Sequence, residues 1–157
     1  MERIPITRAG YETLKEKVRY LKEIERPEVI KAIQEARAHG DISENAEFEA
    51  AKERQAFVEG KIRELEHKIV HADVIDPSKV KTDWVTFGCT VILENLGTEE
   101  EVRYQLVGPD ESDVNQGRIS VSSPLGKALI GKRVGDEIVV QAPGGQRRYE
   151  VVDILAL

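Results

Sequence analysis

The residues best suited to chemistry gather in one short stretch, His39 to Ala51, which reads HGDISENAEFEAA. Asp41 and Glu44 stand three apart, just ahead of a helical pattern, and that spacing has two readings. In the first they form a capping box, with Asp41 accepting from the amide near Glu44 and Glu44 reaching back to the amide of Asp41. In the second they are a carboxylate pair offered to a cation. The ionised residues between Ala38 and Ala51 are Asp41, Glu44, Glu47 and Glu49, a local charge of −4 with His39 neutral. A helix start offsets part of the repulsion among them, and a bound cation would relieve it further. Mg²⁺ is commonly held by one or two carboxylates together with waters and ligands from a substrate or partner, so this pair amounts to a half-site. Completed by a partner that already holds one metal, it would recruit or steady a second, and two-metal centres cleave phosphodiesters by activating water and stabilising the leaving oxygen.

Arg37 and Lys52 flank this stretch about one turn back, with Arg54 beside them. They read either as solvated charges or as a grip on a phosphate or on a partner's acidic wall. His67 and His71 have the i, i+4 spacing of helix-borne metal ligands, but the pattern supplies no third ligand and both fall on outer positions, which favours solvated side chains. Cys89, in a β-rich run, reads as a small core residue. Trp84 and Phe87 read as anchors for the core of the second half, with a partner surface as the alternative for Trp84.

The elements that must position the acidic stretch are two helical runs. Thr7 is a candidate N-cap, with Ile4 and Ile6 ahead of it to pack back on the helix. Tyr11, Leu14, Val18 and Leu21 then step by three and four along one seam. Pro27 interrupts the pattern and Val29, Ile33 and Ala36 resume it in a shifted phase, which predicts a kink or phase slip near Arg26 and Pro27. Gly40 predicts the stop. The second run, Phe48, Ala51, Gln55, Val58, Ile62, Leu65 and Ile69, is a coiled-coil seam whose one polar member, Gln55, is suited to fixing register. Glu59 with Arg63 and Glu64 with Lys68 form i, i+4 pairs on its outer faces. Neither seam can stay in water, so residues 1–76 predict an antiparallel coiled-coil hairpin with an acidic tip, about 45 Å long.

After Asp76 and Pro77 the periodicity changes. Strands are predicted over Val85–Leu93, Glu101–Val107, Ile119–Val121, Glu137–Gln141 and Arg148–Ile154, with a short helix from Ser123-Pro124 through Ile130. The fold class is therefore α+β, with a small α+β domain over 77–157. Residues 1–76 hold fourteen basic and seventeen acidic residues, and 77–157 hold nine and twelve, so each half carries −3. Bulk charge thus argues against tight independent binding of nucleic acid, and any contact with RNA or DNA must be local or mediated by another protein. One cysteine excludes an internal disulfide. No apolar run approaches the eighteen residues of a membrane span, and the start carries no leader signal, so the expectation is a cytoplasmic protein without a membrane partner.

Three segments, RPEVIKAIQEARAHGDISENAEFEAAKE, VSSPLGKALIGK and the PGG turn, together resemble the bacterial Gre transcript-cleavage factors, close to their A-type members, and the resemblance covers the whole chain. It implies an N-terminal antiparallel coiled coil followed by an FKBP-like C-terminal domain. It also implies a monomeric transcription elongation factor, not itself an enzyme, that binds RNA polymerase and inserts its hairpin through the secondary channel. There it would stimulate the polymerase's own hydrolysis of backtracked nascent RNA, acting near the RNA 3′ end. By the same resemblance Asp41 and Glu44 help hold the second Mg²⁺ and its water, with Ser43 assisting. Two other functions remain as alternatives, an inhibitory channel-binding relative without cleavage activity and a prolyl isomerase with a coiled-coil handle.

Overall fold

The computed structural model describes residues 3–39 and 45–157. The chain divides into two compact units, Met1–Ile4 with Tyr11–Ala72, and Pro5–Gly10 with Asp73–Leu157. Strand β1 (Ile4–Thr7) leads directly into helix α1 (Arg8–Tyr20). Thr7 caps that helix as expected, its Oγ1 accepting from the Gly10 amide at 3.1 Å. The residues before it are extended. They pair with β2 (Ala72–Ile75) in a two-stranded sheet, so Ile4 is exposed and only Ile6 is buried.

Helix α1 passes without a break through a π-helical turn, Leu21–Glu25, into α2 (Arg26–Ala38). The amide of Arg26 bonds the Leu21 carbonyl five residues back, and Tyr20 and Arg26 both keep right-handed helical angles. This turn is the phase slip. Leu21 and Val29 are both buried yet lie eight residues apart, one more than two turns of a 3.5-residue seam accommodate, and a π turn absorbs one extra residue. Pro27, which has no amide hydrogen to give, sits just after the π turn, where the helical ladder is already shifted.

Helix α3 (Ala46–Val70) has 25 residues, about 37 Å at 1.5 Å per residue. It runs antiparallel to α2 and the π turn, as three cross-pairs of descending order show: Lys22–Glu66 at 3.0 Å, Arg26–Glu59 at 2.8 Å and Glu28–Arg54 at 3.4 Å. The seam buries Leu14, Val18, Leu21, Val29, Ile33 and Ala36 on one side, and Ala51, Val58, Ile62 and Leu65 on the other. Phe48, Gln55 and Ile69 are half-buried. Gln55 accepts from Lys52 of its own helix at 3.5 Å, and the cross-helix pairs link the two helices in this register. Glu59, read from sequence as the partner of Arg63, instead receives two parallel bonds from Arg26, from Nε and Nη2, both at 2.8 Å. Glu64 and Lys68 pair at 3.4 Å as read.

The second unit carries a five-stranded sheet in the order β5-β4-β3-β7-β6, formed by β3 (Thr90–Asn95), β4 (Glu101–Val107), β5 (Arg118–Ser120), β6 (Glu137–Ala142) and β7 (Gly145–Leu155). All neighbours are antiparallel except β4 and β5. A bulge places Val152 as an extra residue opposite the Ile92–Leu93 step, which lets Val151 and Ile154 both enter the core despite their odd spacing. Helix α4 (Pro124–Leu129) seals one side, with Leu129 wholly buried alongside Val85, Leu93 and Leu106. Strand β3 begins five residues later than the sequence suggests, because Gly88 takes φ +88° and turns the chain just before Cys89. Trp84 lies ahead of that turn and is 39% exposed, with Arg133 above its ring at 6.0 Å, so it is not the core anchor expected of it.

Candidate functional site

The end of the hairpin is built from the last turn of α2 and the first of α3. Helix α2 closes at His39, whose amide bonds the Ala36 carbonyl at 3.3 Å. Asp41, Ser43 and Glu44, with Gly40, lie outside the described residues. The residue that starts α3 is Asn45. Its backbone is extended (φ −87°, ψ 101°), its Oδ1 accepts from the Phe48 amide at 3.1 Å, and its carbonyl accepts the first helical bond, from Glu49, also at 3.1 Å. Helix α3 thus takes its cap from Asn45, and the capping-box reading of Asp41 and Glu44 falls outside the described residues. Glu47 and Glu49 then occupy the first turn, where the helix dipole favours anions.

The same Asn45 side chain donates from Nδ2 to the Ala36 carbonyl at 2.6 Å. Two further contacts join the helices here. The Arg37 guanidinium lies over the Phe48 ring at 5.9 Å, and His39 Nδ1 stands 3.2 Å from Glu47 Oε2. Of the flanking cations named from sequence, Arg37 and Lys52 are exposed, while Arg54 is held by Glu28 on the facing helix. The rings of His67 and His71 lie tilted by 36° with centroids 4.1 Å apart, and His71 Nδ1 meets the His67 carbonyl at 2.8 Å. Among the described residues no group of three His, Cys, Asp or Glu side chains is placed to hold a metal ion.

Asn45 and the Arg26–Glu59 pair are what sequence reading missed. A signal for the first was present, since asparagine is among the best N-caps and is followed here by two glutamates in the first turn. None announced the second, because a cross-helix pair depends on a register that the π turn shifts.

The family model described as "Transcription elongation factor, N-terminal" matches residues 4–74, and that described as "Transcription elongation factor, GreA/GreB, C-term" matches residues 77–156. The chain belongs to the GreA/GreB family of transcription elongation factors. It is similar to the transcription elongation factor GreA of Neisseria meningitidis serogroup A, with 56% identity over 155 residues and 98% of each chain covered. It is also similar to that of a Chelativorans species, with 58% identity over 154 residues and the same coverage. Among solved structures, the GreA factor homolog 1 of Thermus thermophilus is 33% identical over 98% of this chain and 99% of that one, with a TM-score of 0.45. The family match thus spans both units of this GreA/GreB-type chain, the helical hairpin and the sheet domain alike.

Proposed function

We propose that this transcription elongation factor binds RNA polymerase, brings the end of its hairpin through the polymerase's secondary channel to the active centre, and stimulates the polymerase's own hydrolysis of backtracked nascent RNA. The chain is not the catalyst in this reading. Asp41 and Glu44 are the carboxylates delivered, with Ser43 assisting, and Arg37, Lys52 and Arg54 contact the polymerase or the RNA backbone. The observation that carries the proposal is that α3 takes its cap from Asn45, so the start of that helix does not depend on Asp41 or Glu44. Family membership supports the partner and the process.

The donor set fits Mg²⁺ only in part. Two carboxylates suit a hard cation, but they make an incomplete shell, so the remaining ligands belong to the polymerase and its RNA. A second Mg²⁺ held in this shared way would supply charge stabilisation and an activated water at the scissile phosphodiester. The hairpin's contribution is reach and orientation, together with an anionic pair at the end of a stiff support. In this reading the chain works as a monomer, in the cytoplasm beside its polymerase, with no tight affinity of its own for nucleic acid.

Replacing Asp41 by Asn and Glu44 by Gln tests the proposal, since both amides are neutral and close in shape to the acids. The expected result is loss of stimulated cleavage in a stalled elongation complex with polymerase binding retained. Full cleavage by the double variant overturns the reading.

A further inference from the structure

We infer that Asn45 is a positioning residue, a two-ended clasp that fixes the distance and angle between the two chain ends from which the segment 40–44 departs. This rests on the reading that Asp41 and Glu44 are the carboxylates delivered. A helix leaves its last four carbonyls and first four amides without partners inside the helix. The Ala36 carbonyl belongs to the first set in α2 and the Phe48 amide to the second in α3, and one Asn45 side chain satisfies a member of each, at 2.6 Å and 3.1 Å. Only a side chain with an acceptor and a donor on one planar group does both at once. Aspartate offers no donor, and the serine hydroxyl, although a good cap, sits one bond closer to its backbone and does not span to the other helix.

The clasp is seconded by Arg37 over Phe48 and by His39 beside Glu47, so among the described residues three contacts cross between the helices within about one turn of the segment. Their number at this end, where each helix would otherwise fray, is what the cap alone does not require. Five residues must bridge from His39 to Asn45. Any short connection whose two ends are held starts from a smaller conformational ensemble than one whose ends fray, so the groups it carries have less orientation to lose on reaching a reaction centre.

The test compares Asn45→Ser, which keeps a cap but not the cross-helix donor, with Asn45→Ala, which loses both. Each is measured for helix content, for competition against the unaltered protein for polymerase, and for RNA cleavage at saturating factor over a Mg²⁺ titration. For Asn45→Ser, helix content and polymerase affinity should match the parent, while the saturating cleavage rate falls by about tenfold or more, as loss of reactant orientation predicts, and half-saturation moves to higher Mg²⁺. Unaltered cleavage and Mg²⁺ dependence in Asn45→Ser overturns the clasp. So does a fall in cleavage that merely follows a fall in helix content or polymerase affinity, because that marks a residue of the fold only. The parent reading fails separately: if Asp41→Asn with Glu44→Gln cleaves fully, the carboxylates have no role and both inferences fall, whereas a dead double variant beside a fully active Asn45→Ser removes the clasp alone.

Discussion

Single side chains in this protein settle questions that spacing left open. Asp41 and Glu44 have the separation of a capping box, yet the cap of α3 is made by Asn45, whose Oδ1 accepts from the Phe48 amide at 3.1 Å. Arg26 and Glu59 matter in a similar way. The paired hydrogen bonds from Arg26 hold the Glu59 carboxyl below its ordinary range, and the same bonds hold the Arg26 guanidinium above its own. Because the folded carboxyl titrates lower than the unfolded one, the pair's contribution is whole above the usual glutamate range and is lost as pH falls through the folded value. Arg26→Met should therefore lower the thermal midpoint near neutrality and leave it nearly unchanged in acid, as scanning calorimetry across pH would show. Cys89 is fully buried, and burial pushes its thiol up. A thiol reagent should leave the native protein unlabelled at neutral pH and label it on unfolding, and Cys89→Ser should cost about 1–3 kcal/mol in denaturant melts, because a hydroxyl is costlier than a thiol to bury among apolar side chains even with Thr86 beside it.

Elements show where sequence reading succeeds and where it stops. The seam residues Leu14, Val18, Leu21, Val58, Ile62 and Leu65 are legible because burying a stripe on a helix demands their spacing, and all six are buried. A phase slip at Pro27 was legible too, as one residue too many between Leu21 and Val29. Its form as a π turn was not, since the choice between a kink and a widened turn is made by packing against α3. Strand β3 was read too early because Val85 and Phe87 have strand-like side chains, while the turn at Gly88 is a backbone property. In the site, the acids and their flanking cations could be named, but not the clasp, which joins residues nine apart across a chain reversal. Helix α4 supplies a prediction of its own. A methyl group on Gly126 would stand 2.1 Å from the Ser120 carbonyl oxygen, so the helix packs on that backbone only with glycine there. Gly126→Ala should lower stability by about 1–3 kcal/mol in chemical denaturation, the usual cost of overpacking, and Ser123, which caps α4 and bonds Ser120 as well, should lose protection from hydrogen exchange in the same variant.

For the whole molecule, the two units divide different kinds of work. The helical unit spends its residues on length, with a seam only two helices thick and cross-pairs along its sides, while the sheet unit builds a conventional core around Leu93, Leu106 and Val151. Neither half is basic, which suits the proposed route to nucleic acid through a polymerase in place of affinity for phosphate. The central claim is that the carboxylates at the hairpin end act inside another enzyme's site. The most direct measurement follows shortening of the RNA 3′ end in a backtracked elongation complex, at saturating factor and over a Mg²⁺ titration, with the unaltered chain and with Asp41→Asn plus Glu44→Gln. The account predicts that the unaltered chain speeds cleavage and lowers the Mg²⁺ needed, and that the double variant occupies the polymerase equally well but returns the rate to that of polymerase alone. A double variant that speeds cleavage as the unaltered chain does would contradict it.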